Sequence, residues 1–187
     1  MKILIVSGFL GAGKTTFIKR LARNVDQRFA ILENEYGAAG IDGARLGQNR
    51  QGTQKNVWEM TEQCICCIGK KDFAASVLTI ANVVDPEYLI VEPTGVGSLA
   101  RIIENLRQIE YERIQLLSPV TIVDVYSYRR YMAEYPELYQ DQIRSADTII
   151  VSKTEACQAE EKQRIQKFLQ EINSQAKIIT DYASTMT

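Results

Sequence analysis

Apolar residues in this chain fall into short unbroken runs, separated by stretches in which they recur every three or four positions. "KILIVS" (2–7) is one such run, rich in β-branched side chains and ending at Gly8, the pattern of a strand buried on both faces that feeds a loop. Beyond Lys14, "TTFIKRLARNV" sets Phe17, Ile18, Leu21 and Val25 at helical spacing. The alternation continues. "RFAILEN", "EYLIVE", "PVTIVDV", "TIIVSK" and "AKIIT" predict strands, whereas "KDFAASVLTIANVV", "SLARIIENLRQI" and "EEKQRIQKFLQEI" predict helices. Uniformly apolar strands alternating with amphipathic helices predict an α/β fold, doubly wound, with a mostly parallel sheet flanked by helices.

Two stretches depart from this pattern. Residues 36–56 carry five glycines, many polar side chains and no apolar period, which predicts a long loop of the kind that is usually functional. "VYSYRRYMAEYPELY" interleaves aromatic and basic residues, but acidic neighbours break the basic character, so it reads as a helical surface or protein contact. With no internal repeat and no linker, residues 1–187 read as one domain.

Composition narrows the class further. A net charge of -1 with 45% hydrophobic residues excludes a disordered chain and gives no basic footprint for nucleic acid. No run approaches the roughly 18 apolar residues that span a bilayer, and the apolar N-terminus lacks a cleavage site, so no membrane role is expected. Four cysteines, three of them crowded at 64, 66 and 67, do not space out as a secreted disulfide framework would. A cytoplasmic location follows as the expectation.

The strongest chemical signal is "GFLGAGKTT", which matches G-x-x-x-x-G-K-[ST] at Gly8, Gly13, Lys14 and Thr15. Gly11, Ala12, Gly13 and Thr16 complete the loop, whose backbone N–H groups turn inward around phosphates. Lys14 reaches β- and γ-phosphate oxygens as a point charge, and the Thr15 hydroxyl is placed to ligate Mg²⁺. The predicted helix that follows offers its N-terminus to the same anion.

"EQCICCIGKK" (62–71) raises a different question in a chain without histidine. Its thiols could be small buried hydrophobes, a redox device, or ligands for a soft or borderline ion such as Zn²⁺ or Co²⁺. Three thiolates leave a tetrahedral site open, to be closed by an oxygen, by water or by a partner; Glu35 is the best internal candidate. Lys70 and Lys71 read as a solvated helix start, and Cys157 as structural, within a helix beginning near "EACQAEEKQRI".

Four stretches, "ENEYGAAGID" (33–42), "QCICC" (63–67), "LIVEPTGVG" (89–97) and "VSKTE" (151–155), together resemble the CobW/UreG/HypB group of SIMIBI-class P-loop GTPases, the CobW-like branch above all. The resemblance implies that Glu92 ends a strand where it joins Thr15 in holding Mg²⁺, and that Gly95 brings its N–H to the γ-phosphate. It makes Asp42 the acid that contacts Mg²⁺ or orients the attacking water, and sets Glu35 beside Cys64, Cys66 and Cys67. Guanine would be held by Ser152, Lys153 and Glu155, with Ser152 and Glu155 standing where the family has Asn and Asp. Serine lacks the amide that braces that loop, and Gln63 replaces a glycine before the first cysteine. Asp124 matches a family position whose role the sequence does not give.

The expectation is therefore a GTP-binding, slowly GTP-hydrolysing switch in which Lys14, Asp42 and Glu92 carry the catalysis. It would couple nucleotide state to the binding and delivery of a metal of the Zn or Co class, or a metallocofactor, to an acceptor metalloprotein or cofactor-assembly protein. Dimerisation across the nucleotide face would fit the resemblance, and the family's C-terminal domain is expected to be absent from a chain ending at Thr187. Two other readings remain open: an ATP-dependent P-loop kinase or ATPase, and a nucleotide-gated metal or redox sensor.

Overall fold

The computed structural model describes residues 1–24, 27–33, 57–61 and 70–181. Glu35, Asp42, Cys64, Cys66 and Cys67 lie outside the described residues, as does the 36–56 stretch.

In chain order the elements are β1 (Lys2–Gly8), α1 (Lys14–Asn24), β2 (Phe29–Glu33), β3 (Val57–Thr61), α2 (Lys70–Val83), β4 (Tyr88–Glu92) and α3 (Leu99–Arg107). They continue with β5 (Gln115–Leu116), β6 (Val120–Asp124), α4 (Tyr128–Glu134), α5 (Pro136–Arg144), β7 (Thr148–Ser152), α6 (Ala159–Ile172) and β8 (Lys177–Ile179). One sheet runs β3-β2-β4-β1-β6-β7-β8, with β5 paired to β1. Every one of these strand pairings is parallel, as the unbroken apolar runs predict.

Strand residues alternate between two cores. Ile3, Ile5, Leu89, Val91, Ile149 and Val151 pack on one face against α2, α3, α5 and α6, contributed by Phe73, Leu106, Ile143 and Leu169 among others. Val6, Ile31, Ile90, Ile122 and Ile150 pack on the other against Phe17 and Ile18 of α1. Period-two alternation within a run that is apolar throughout is what a sheet covered on both faces requires.

Strands β3 and β5 are additions to the elements that the pattern predicts. "VWEMT" pairs with β2 in full register, Phe29 opposite Val57 through Glu33 opposite Thr61, so β2 has neighbours on both sides. The helical reading of the aromatic stretch resolves into two short helices, α4 and α5, broken by Pro136 at the start of the second. Cys157 is not helical: its N–H donates to the Thr154 carbonyl at 3.2 Å, closing a turn, and α6 begins only at Ala159. It is a half-buried free thiol packed against the larger core.

This topology decides where a ligand can sit. From β1 the chain winds outward to β2 and β3, returns to insert β4, then crosses to β6 and β7. Loops leaving the carboxyl ends of β1, β4, β6 and β7 therefore gather around one crevice, the usual binding position of an open parallel sheet.

Candidate nucleotide site

β1 ends at Gly8, opposite Ile122 of β6. Gly8 has φ +143°, and a Cβ there would fall within contact distance of the Ile122 carbonyl oxygen. Only glycine lets the chain leave the sheet so close to its neighbour. Gly11 and Gly13 also take positive φ, and the Ala12 N–H donates to the Phe9 carbonyl at 3.1 Å, so the segment curls into a loop before α1 starts at Lys14.

The Lys14 ammonium folds back into that loop, donating to the carbonyls of Gly8 at 2.9 Å and Phe9 at 3.4 Å while only 8% of the residue is exposed. Carbonyl oxygens are stand-ins for phosphate oxygens, so the charge is already held where an anion would take it over. Beside it, the Thr15 hydroxyl donates to the Glu92 carboxylate at 3.1 Å, across 77 residues of chain. Glu92 ends β4 and is paired in register with Glu33 at the end of β2. Thr16 follows Thr15 in the first turn of α1 and is exposed.

Gly95 lies against the phosphate loop from the other side. A Cβ on it would meet the Leu10 backbone nitrogen at 2.6 Å and the Phe9 carbonyl carbon at 3.0 Å. Two groups outside the motifs hold this region together, and the first comes from the aromatic stretch expected to be a helical surface or protein contact, whose rings instead pack on the phosphate loop. Phe9 is surrounded by the rings of Tyr131, Tyr135 and Tyr139, with centroids 4.5, 5.6 and 5.3 Å away, and the Tyr131 hydroxyl donates to the Leu10 carbonyl at 3.0 Å. Burial pushes the Tyr139 hydroxyl well above its ordinary pKa. Gln142 of α5 donates to the carbonyls of Gly95 and Gly97. A signal for Gln142 exists in the sequence: it is a polar residue in the apolar stripe Tyr139, Gln142, Ile143, at helical spacing.

At the far side, β7 ends at Ser152, opposite Asp124 of β6. The Ser152 hydroxyl is buried and donates to the Ala12 carbonyl at 2.6 Å. Serine therefore does brace this loop against the phosphate loop, through a hydroxyl where the family has an amide. Lys153 adopts the left-handed conformation at φ +61° and its ammonium pairs with Asp124 at 2.8 Å. Thr154 ties the same loop to the end of β8 by donating to the Thr180 carbonyl at 2.7 Å. Glu155 follows in the exposed turn.

Asp124 gains a role from this arrangement. Burial alone would raise its pKa, but hydrogen bonds from Lys153, the Tyr126 N–H and the Ser127 hydroxyl outweigh it and hold the carboxyl below its ordinary 3.8. A depressed carboxyl stabilises the fold fully above pH 3.8, and that contribution is lost as pH falls through the lower folded value. Asp124→Asn is thus expected to cost about 1–3 kcal/mol at neutral pH, the worth of charge-assisted bonds, and to flatten the acid limb of the stability profile. Urea unfolding between pH 3 and 7 measures both effects; an unchanged acid limb would remove Asp124 from this role.

Two surface depressions of about 540 Å³ each lie away from these loops, one around Met1, Asp85 and Arg113 at the opposite end of β1, the other around Ile103 and Arg107 of α3. Neither touches the phosphate loop. Among the described residues no helix is long and apolar enough to cross a membrane.

A glycine loop folded around a lysine, between the central strand of a parallel sheet and the helix that follows, defines a P-loop nucleotide-binding domain. Within that class the chain belongs to the CobW/HypB/UreG family, whose nucleotide-binding domain matches residues 2–180. Similar curated proteins include the zinc chaperone YeiR of Escherichia coli, 30% identical over 178 residues, covering 94% of this chain and 53% of that protein. The zinc chaperone CobW of Pseudomonas aeruginosa is 27% identical, covering 88% of this chain and 52% of that one. Among solved structures, Zn(II)-bound YjiA GTPase from E. coli shares the fold with a TM-score of 0.71 at 22% identity, over 96% of this chain and 57% of that one. The chain spans about half the length of the curated relatives it matches.

Proposed function

We propose that this chain is the GTP-binding, slowly GTP-hydrolysing part of a metallochaperone-type switch that couples nucleotide state to the binding and delivery of a Zn- or Co-class metal. The observation that carries the nucleotide half is the meeting of Thr15 and Glu92, 3.1 Å apart beside a phosphate loop on which Gly95 is already pressed. A hydroxyl and a carboxylate are hard oxygen donors of the kind Mg²⁺ takes alongside phosphate, so the residues fit the ion. When bound, Mg²⁺ supplies charge neutralisation on the phosphate oxygens.

The chain's own residues do the rest. Lys14 exchanges the Gly8 and Phe9 carbonyls for phosphate oxygens, the loop N–H groups and the N-terminus of α1 hold the same anion, and Gly95 offers its N–H to the γ-phosphate. Asp42 orients the attacking water. At the base, the Glu155 carboxylate accepts from guanine, while Ser152 and Lys153 hold its loop against Ala12 and Asp124.

The metal half rests on Cys64, Cys66, Cys67 and Glu35. Strand pairing supports it: Glu33 and Thr61 are direct partners on β2 and β3, so the segments "ENEYG" and "QCICC" set out from points about 4.8 Å apart. The zinc chaperones among the relatives support the same reading. An acceptor protein would receive the metal and complete its coordination.

Two titrations test the proposal. With Mg²⁺ present, fluorescent GTP is expected to bind at least about tenfold more tightly than fluorescent ATP, the discrimination one bidentate base contact provides. Zn²⁺ is expected to bind more tightly than micromolar, with affinity altered by GTP and lost in Cys66→Ala. ATP preference would replace the GTPase with an ATPase or kinase, and Zn²⁺ binding indifferent to Cys66 would end the metal role.

A further inference from the structure

We infer that Gln142, on α5 and outside any phosphate contact, is a positioning residue that lets the protein distinguish a nucleoside triphosphate from a diphosphate. The inference rests on the reading of Gly95 as the γ-phosphate contact. Its basis is the way α5 grips the segment after β4. Gln142 is 1% exposed, and its side-chain N–H₂ donates to two carbonyls of that segment, Gly95 at 3.1 Å and Gly97 at 3.0 Å. Its own backbone carbonyl accepts from the Thr121 hydroxyl at 2.8 Å, which fixes the amide relative to β6. The preceding residue, Asp141, accepts from the Leu99 N–H at 2.7 Å and so holds the start of α3 from the same helix.

Gly95 is consequently caught between two rigid bodies. Its Cα is pressed on the backbone of Phe9 and Leu10, with no room for a side chain, while its carbonyl is drawn toward α5. For a site that must receive an anion, the direction of that carbonyl matters. A carbonyl oxygen turned toward the γ-phosphate would repel it, and an N–H would attract it. The peptide that carries the Gly95 N–H is held through the Thr94 carbonyl, which accepts from the Gly97 N–H at 2.9 Å. By fixing the carbonyls of Gly95 and Gly97, Gln142 holds that turn from both sides, and the N–H is aimed before the nucleotide arrives. A diphosphate has no group at this position and gains nothing from it.

An amide is suited to this task and a hydrocarbon is not. Leucine has nearly the same volume but donates no hydrogen bond, so Gln142→Leu would leave two buried carbonyls unpaired and free to rotate. Glutamate, ionised, would face them with a second pair of acceptors.

The test compares affinities for GDP and for the non-hydrolysable triphosphate GMPPNP, with Mg²⁺, in the full protein and its Gln142→Leu variant. Expected is a fall of about tenfold or more for GMPPNP with GDP affinity unchanged within about twofold, the loss of one preorganised charge-assisted contact. An equal fall for both ligands, or none for GMPPNP, would overturn the inference and leave Gln142 as packing only. Should the leucine variant fail to fold, Gln142→Met, of the same length and flexible, makes the same comparison. Failure of the unsubstituted protein to bind either nucleotide would sink the GTPase reading, and the inference with it.

Discussion

Lys14→Ala is expected to reduce GTP affinity by two orders of magnitude or more, at a smaller cost to the melting temperature. The ammonium is buried among carbonyl oxygens of the loop, with two bonds at 2.9 and 3.4 Å. A bond from a charged donor is worth about 1.5–3 kcal/mol, and those offered to phosphate oxygens are both shorter and fully ionic. In the free protein the same ammonium bonds neutral carbonyls, a weaker partner than phosphate, so the larger part of the loss falls on the complex. Isothermal titration with GTP, paired with a thermal scan, separates the two effects. A variant that bound GTP normally would show that the loop does not hold the phosphates through Lys14.

Gly8→Ala should act in the opposite sense, on the fold before the ligand. The position combines φ +143° with a Cβ that would collide with the Ile122 carbonyl of the adjoining strand. Neither can relax alone, because β1 is the central strand and Gly8 and Ile122 are register partners. Left-handed strain costs about 1–3 kcal/mol and overpacking against backbone a similar amount, so a loss of about 3 kcal/mol or more is expected. Urea denaturation measures it directly. Retention of wild-type stability would mean that β1 and β6 separate at this end more easily than their pairing indicates.

Much of this architecture is legible in the amino-acid pattern. The apolar runs of β1, β4, β6 and β7 identify strands because each must be buried on two faces, and no helix of that length could use such a run. β3 is harder to see. "VWEMT" mixes polar and apolar residues in only five positions and gains its strand character from β2, which its local sequence does not reveal. β5 has just two residues and exists through its pairing with β1.

The site divides in the same way. The phosphate loop is written contiguously, so spacing alone finds it. Glu92 and Gly95 are visible only because family resemblance marks the strand end they occupy. Asp141 escapes both approaches, and the pattern that marks Gln142 and Tyr131 does not name their partners, since these contacts arise from α4 and α5 reaching back over the loop from more than 40 positions away. Ser152 shows the limit of reading substitutions by type: a missing amide predicts a looser loop, but a buried hydroxyl 2.6 Å from Ala12 supplies the bond.

The parallel sheet also sets a timetable for biosynthesis. β1 leaves the ribosome first, but its partners are residues 88–91 and 120–122, and the bond from Ser152 to Ala12 spans 140 positions. Parallel pairings of this kind pay their loop-closure entropy before any contact rewards it, which slows folding relative to a helical protein of similar size. Of the segments that build this site, the phosphate loop is therefore synthesised first and completed among the last. A nascent chain carries the phosphate-loop sequence well before it has a surface on which a nucleotide could rest.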